Sequence, residues 1–164
     1  MKQLLIIRHA KSDWSNPLHS DFERTLNDRG NKDAPMMAKR IKDKKIVINQ
    51  FVSSTATRAL TTATYFAKAY NKKEKDILKI DELYHASTKI FYTTIDELND
   101  EFDSVAIFSH NPGITDFVNS LTKTRIDNMP TCSIFAIKVE VENWASFSAA
   151  KKEFWFFDYP KSIL

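Results

Sequence analysis

Four consecutive large apolar residues, Leu4-Leu5-Ile6-Ile7, run directly into Arg8-His9. An unbroken apolar run leaves no side chain for water, so it reads as a buried strand of a parallel sheet rather than a half-exposed one. Ligand sites of open α/β sheets lie at the carboxyl ends of such strands, where the chain leaves the core and its side chains face a crevice. Arg8 and His9 stand at that end. A guanidinium offers a planar fork to phosphate oxygens, and an imidazole nitrogen can attack or bind.

The rest of the chain supplies partners for such a strand. Residues 46–48 and 51–52 form a second apolar region ending at Ser53-Ser54, residues 77–80 a short third, and 105–108 another buried strand. Residues 134–141 alternate as a strand does, and 154–157 read as a last one. Between them lie helical stretches. Asn27 is placed to cap a helix through Met36, Met37 and Ile41, with Asp28 in its first turn and the methionines as core filling. Pro35 predicts a late start or a kink there. An alanine-containing helix begins near Thr55-Ala56-Thr57-Arg58 and runs to about Tyr70. Ser87 is placed to cap a third helix bearing Phe91, Ile95 and Leu98 on one face, and Pro112 suits the first turn of a fourth over 114–121. Strand–helix alternation throughout predicts one layered α/β domain spanning 1–164. Residues 13–27 are polar and aperiodic, a long loop beside Arg8-His9.

Composition narrows the function. The chain has two glycines, Gly30 and Gly113, whereas a Walker loop or a dinucleotide-binding turn needs several within a few residues. A phosphate held here is held by side chains. The net charge of +3 is too mild for a nucleic-acid partner, and the apolar runs are too short to span a bilayer. One cysteine excludes an internal disulfide; Cys132, in a Pro-Thr-Cys-Ser setting, is expected to be a small packing residue. With no signal-peptide pattern at Met1-Lys2-Gln3, the expected location is cytoplasmic.

Arg8-His9, Arg58 and His110 each follow an apolar strand and are expected to converge on one sheet edge. Arg58 lies in the first turn of its helix, an unfavourable place for a cation unless an anion sits nearby. Two guanidiniums and two imidazoles around one crevice make an oxyanion-binding set. Two arginines would repel a divalent cation, and no Cys or carboxylate has metal-motif spacing, so neither a metal nor another cofactor is expected.

In these residues the chain resembles the histidine phosphatase superfamily. Arg8-His9-Ala10-Lys11, then Asp21, Arg24, Leu26 and Arg29-Gly30, is similar to the small SixA-type phosphohistidine phosphatases. The stretch from Ser54 to Ala63 around Arg58, Leu83-Tyr84-His85-Ala86-Ser87, and His110-Asn111-Pro112-Gly113 extend the likeness in family order. The resemblance implies a three-layer phosphoglycerate mutase-like fold: a mostly parallel central sheet with helices on both faces. It implies that His9 is the nucleophile and becomes transiently phosphorylated, with Arg8, Arg58, His110 and Asn111 around the phosphoryl group. Ser15 stands where mutase-type relatives carry Asn, so that contact is expected to be weaker; Ser15 and Arg24 are further substrate-binding candidates. Ser109 replaces a common Gly, with a local packing effect expected. Glu82 falls near the position of the general acid in monoester-cleaving relatives, and reads equally as a solvated residue after a strand.

The expected activity is hydrolysis of phosphohistidine on a protein, with phosphate as product. One alternative is a phosphatase of small phosphate monoesters with Glu82 as acid. Another is a non-catalytic phosphate-recognition module. His19 and His85 are expected in surface or packing roles, and the contributions of Lys11 and Trp14 stay open.

Overall fold

In a computed structural model, which describes residues 1–162, the apolar run forms β1 (Lys2–Arg8) in the interior of a six-stranded sheet. Residues 163–164 of the expected domain 1–164 lie outside the described residues. Leu4 and Ile6 pack into one hydrophobic cluster, while Leu5 and Ile7 pack into a second on the opposite face. That is the period of two that a strand imposes. All four are fully buried, each stabilising the fold by roughly 1.5–3 kcal/mol relative to exposure.

The other strands are β2 (Gln50–Ser53), β3 (Ile77–Lys79), β4 (Ser104–Ser109), β5 (Ile134–Val139) and β6 (Lys152–Asp158), in the spatial order β3-β2-β4-β1-β5-β6. β3, β2, β4 and β1 run parallel; β5 pairs antiparallel with both β1 and β6. Helices α1 (Asp28–Asp43) and α2 (Thr57–Ala69) cover the face carrying Leu5 and Ile7. Helices α3 (Thr88–Asp96) and α4 (Gly113–Leu121) cover the face carrying Leu4 and Ile6. The chain crosses the sheet one way from β1 to β2 to β3 and the other way from β3 to β4. Crossovers of one hand therefore put the helices on opposite faces. β1 and β4 are neighbours whose following connections leave toward opposite faces, which opens a crevice at their carboxyl ends. Arg8 is in register with Ser109 there, one residue before His110.

Local signals account for most boundaries. The Asn27 side chain accepts from the Gly30 amide at 2.9 Å, and the Ser87 hydroxyl from the Ile90 amide at 3.3 Å. Pro35 neither delays nor ends α1: it sits exposed inside the helix, where water can take the place of the hydrogen bond it forgoes. The expected strand at 46–48 is absent. Ile46 and Ile48 are buried as anchors of the connection into β2 without joining the ladder, so an apolar run alone did not distinguish packing from pairing.

Both glycines are close-approach positions. A Cβ on Gly30 would lie 2.1 Å from the Lys11 carbonyl oxygen, and one on Gly113 would lie 2.0 Å from that of Ala86. The first turns of α1 and α4 are thus pressed against the segments that carry Lys11 and His85.

Candidate active site

The end of β1 is held by backbone. In left-handed conformation at φ 59°, Cys132 directs its N–H to the carbonyls of Arg8 and His9, at 3.1 and 3.0 Å. The His9 amide donates to Ser109 O at 3.2 Å, and the Ala10 amide to Thr62 Oγ1 at 3.0 Å. His9 Nδ1 lies 2.7 Å from Ala10 O. A carbonyl only accepts, so Nδ1 carries the proton and Nε2 keeps its lone pair. Burial pushes the His9 pKa down to about 3, with the charges of Arg8, Arg58 and Arg24 acting in the same direction against the Ala10 hydrogen bond. His9 is a neutral base with a free nitrogen.

β4 and α2 bring the next groups. The His110 ring centroid is 5.1 Å from that of His9, and His110 Nε2 is 2.8 Å from Ser54 Oγ. Burial lowers the His110 pKa, and His9 and Arg58 lower it further. Ser109, the departure before His110, donates its hydroxyl to Leu83 O at 2.7 Å, a packing contact. Asn111 Nδ2 donates to Asn128 Oδ1 at 2.9 Å and Met129 O at 3.2 Å. Arg8 Nη1 donates to that same Met129 carbonyl at 2.9 Å. Arg58, in the first turn of α2, is 4% exposed.

The long loop is organised by Asp21. Its Oδ1 accepts from Arg24 Nη2 at 2.9 Å and its Oδ2 from Arg58 Nη2 at 3.1 Å, while its backbone carbonyl accepts from Arg58 Nη1 at 2.6 Å. The Tyr84 hydroxyl also donates to Oδ2. That phenol, together with the two arginines, holds the Asp21 carboxyl well below the ordinary carboxylate range despite partial burial. Arg24 Nη1 donates to Ser12 Oγ, and its guanidinium lies 3.6 Å from the centroid of Trp14.

These residues enclose a pocket of about 240 Å³ lined by Arg8, His9, Arg24, Arg58, His110 and Asn111, with Lys11, Ser12, Trp14, Asp21, His85 and Thr131 completing the wall. The Nε atoms of Arg8, Arg24 and Arg58 and the Nδ1 of His110 are buried without a hydrogen-bond partner. Buried polar groups are rarely left so, and four around one pocket rich in guanidinium are suited to an oxyanion. Among the described residues, no three or more His, Cys, Asp or Glu side chains are grouped to hold a metal ion.

Two expected residues lie elsewhere. Glu82 is exposed in a 3₁₀ turn, Asp81–Leu83, and faces a separate groove with Lys89, Thr93 and Glu97. The turn buries Leu83 and ties Asp81 to Thr55 Oγ1 at 2.7 Å, which aims the intervening side chain outward. Ser15 is exposed in a turn closed by its own amide on Asp13 Oδ1 at 2.8 Å, off the pocket wall. His85, expected in a surface or packing role, is exposed and packs against Tyr84, ring centroids 3.9 Å apart; its backbone at φ 61° also sets it on the pocket wall. An Asp21–Arg24 pair is one reading of the loop sequence and is present; the second contact, to Arg58, was missed. Its signal was Arg58: a cation at a helix N-terminus calls for an anion, and here Asp21 provides one.

Comparison with known proteins agrees with this geometry. The sequence profile of the histidine phosphatase superfamily (branch 1) matches residues 4–84. A curated relative, the uncharacterised protein ML1117 of Mycobacterium leprae, is 29% identical over 125 residues, 74% of each chain. Among solved structures, a protein from Agrobacterium tumefaciens assigned as a SixA phosphohistidine phosphatase superposes with a TM-score of 0.81 at 24% identity, over 97% of this chain and 98% of that one. The protein histidine phosphatase SixA complexed with tungstate gives 0.81 at 21% identity, over 96% and 97%. A mycobacterial glucosyl-3-phosphoglycerate phosphatase, Rv2419c, in complex with VO3 gives 0.75 at 13%, over 97% and 100%. The three-layer phosphoglycerate mutase-like fold is thus shared with proteins named for both protein and small-molecule substrates.

Proposed function

With the profile of the histidine phosphatase superfamily matching residues 4–84, we propose that this chain is a member and hydrolyses phosphohistidine on a protein through a covalent phospho-His9 intermediate. The observation that carries the reading is the His9 Nδ1–Ala10 O hydrogen bond at 2.7 Å, which leaves a neutral Nε2 among buried guanidiniums whose Nε atoms lack partners. In the first step Nε2 attacks phosphorus and the P–N bond of the substrate breaks; the electron pair passes to a ring whose other nitrogen already carries a proton, so it leaves as neutral imidazole. In the second, water attacks phospho-His9, the enzyme's P–N bond breaks, and His9 and phosphate are regenerated, the water's proton passing to phosphate or solvent. Arg8, Arg58 and Arg24 balance the charge on the phosphoryl oxygens, where most of the catalytic work of such a transfer lies. His110 is neutral in the free pocket; an entering dianion favours its protonated form, with Nδ1 then donating to an oxygen.

The choice of leaving group rests on what the pocket lacks. The carboxylate on its wall is Asp21, which is ionised, and Glu82 faces another groove. An alcohol leaving group calls for an acid, whereas imidazole is a better leaving group and needs it less. A second depression of about 580 Å³ continues past His85, His110 and Asn111 along Lys89 and Asp116, giving room for the polypeptide around a phosphorylated side chain. No helix among the described residues is long and apolar enough to cross a membrane. A protein bearing phosphohistidine is the partner this reading requires.

The test compares turnover of a phosphohistidine-bearing protein with that of an alkyl phosphate, for wild type and His9→Ala, with chelator present. Preferential loss of phosphohistidine, abolished in His9→Ala, is the expected result. Faster turnover of the alkyl phosphate would move the substrate class to small monoesters, and phosphate binding without turnover of either would leave a recognition module.

A further inference from the structure

A carboxylate is out of place on the wall of a pocket built for an anion. Asp21 nevertheless stands there, beside three arginines, and like charge alone would make it weaken phosphate binding. Proton donation does not explain it, because its bonds to Tyr84, Arg24 and Arg58 favour the ionised form. Its contacts suggest another purpose. Arg8 is pinned through Nη1 to a neutral backbone carbonyl, that of Met129. Arg24 and Arg58 are pinned through their terminal nitrogens to Asp21, one from the loop and one from α2. The carboxylate thus bridges two guanidiniums on separate segments, as an incoming phosphoryl group also would.

We propose that Asp21 is a positioning residue that acts as an internal stand-in for phosphate. It keeps Arg24 and Arg58 aligned when the pocket is free, and it competes with phosphate for their terminal N–H groups, so that the product is released rather than retained. The competition is local. Arg58 Nη1 stays on the Asp21 backbone carbonyl and Arg24 Nη1 on Ser12 Oγ, so each guanidinium yields only the Nη2 that the carboxylate holds. Tyr84 gives the displaced carboxylate a remaining partner, since its hydroxyl donates to Oδ2. The proposal rests on phosphate being the ligand of this pocket, and is independent of which molecule delivers it.

The experiment is calorimetric titration of inorganic phosphate into wild type, Asp21→Asn and Tyr84→Phe, with kcat and KM measured on the same preparations. Asn is nearly isosteric and retains one acceptor, so the loop keeps an anchor while the charge is removed. Phosphate is expected to bind Asp21→Asn at least about fivefold more tightly, ~1 kcal/mol, while kcat falls as release slows and the arginines lose alignment. Tyr84→Phe, which removes the displaced carboxylate's alternative partner, is expected to weaken phosphate binding modestly. A merely structural Asp21 predicts the opposite sign, because arginines without a partner would bind phosphate more weakly; unchanged or weaker binding in Asp21→Asn, with the variant folded by circular dichroism, overturns the proposal. Phosphate affinity is read without turnover. Failure of the phosphohistidine reading therefore leaves this result standing, and the reverse also holds.

Discussion

The end of β1 and the loop over residues 13–27 meet at one pocket by opposite means. The backbones of Arg8 and His9 are fixed by main-chain hydrogen bonds to Ser133, Ser109 and Cys132, and the Arg8 guanidinium by the Met129 carbonyl, in a sheet whose core is fully buried. Arg24 is held by side chains: Asp21, Ser12 and the face of Trp14, itself 73% exposed. Backbone bonds inside a packed sheet open only with much of the fold, whereas side-chain bonds at a rim exchange locally. The proposed nucleophile and the guanidinium beside it in the chain, His9 and Arg8, therefore sit on the strand and its end. The part that must admit and release a ligand sits on the loop.

The largest effect that sharpens this contrast is the pair Arg8→Ala and Arg24→Ala. Losing the strand arginine is expected to reduce kcat/KM by about 10²–10³-fold, the range for removing one charge-stabilising donor, against about tenfold for the loop arginine, which is farther from the backbone frame; equal losses in steady-state kinetics would break it. Gly30→Ala tests how tightly α1 seats the loop's base. Its Cβ would meet Lys11 O at 2.1 Å, so destabilisation of roughly 1–3 kcal/mol in urea unfolding is expected. Next is pH. His9, with a folded pKa near 3, and His110, also lowered, stay neutral while the unfolded chain protonates near the ordinary value of about 6.5. Their contribution is complete above that value and is lost as pH falls toward 3, at up to ~1.4 kcal/mol per pH unit for each histidine. Saturating phosphate, which favours charged His110, is expected to flatten that slope in denaturation at pH 7.5, 6 and 5. The smallest effect is Glu82→Gln, expected to change phosphohistidine turnover by less than about twofold.

Much of this arrangement was legible in the chain. Period-two and unbroken apolar runs located β1 and β4, and the caps at Asn27 and Ser87 located two helix starts. The arginines and histidines that follow the strands line one pocket because parallel strands end on one edge. Glu82 and Ser15 mark where such reading stops. Both follow structured segments closely, yet a 3₁₀ turn and an Asp13-closed turn decide their direction, and neither turn has a period. Tertiary contact alone brings Asp21 to Arg58, with an intervening sheet strand and helix cap that no local pattern links. His85 needs a left-handed backbone that its side chain does not advertise.

The tight seat of Cys132 has a consequence for the conditions under which the site works. Its amide supports the backbone of Arg8 and His9, but its thiol is fully buried, and burial, with Asp33 adding to it, pushes the thiol's pKa up. Oxidants and alkylating reagents act on exposed thiolates, and this chain has no second cysteine to offer. The proposed transfer through an imidazole nitrogen involves no sulfur, and activity is expected to survive peroxide that would disable a thiolate nucleophile.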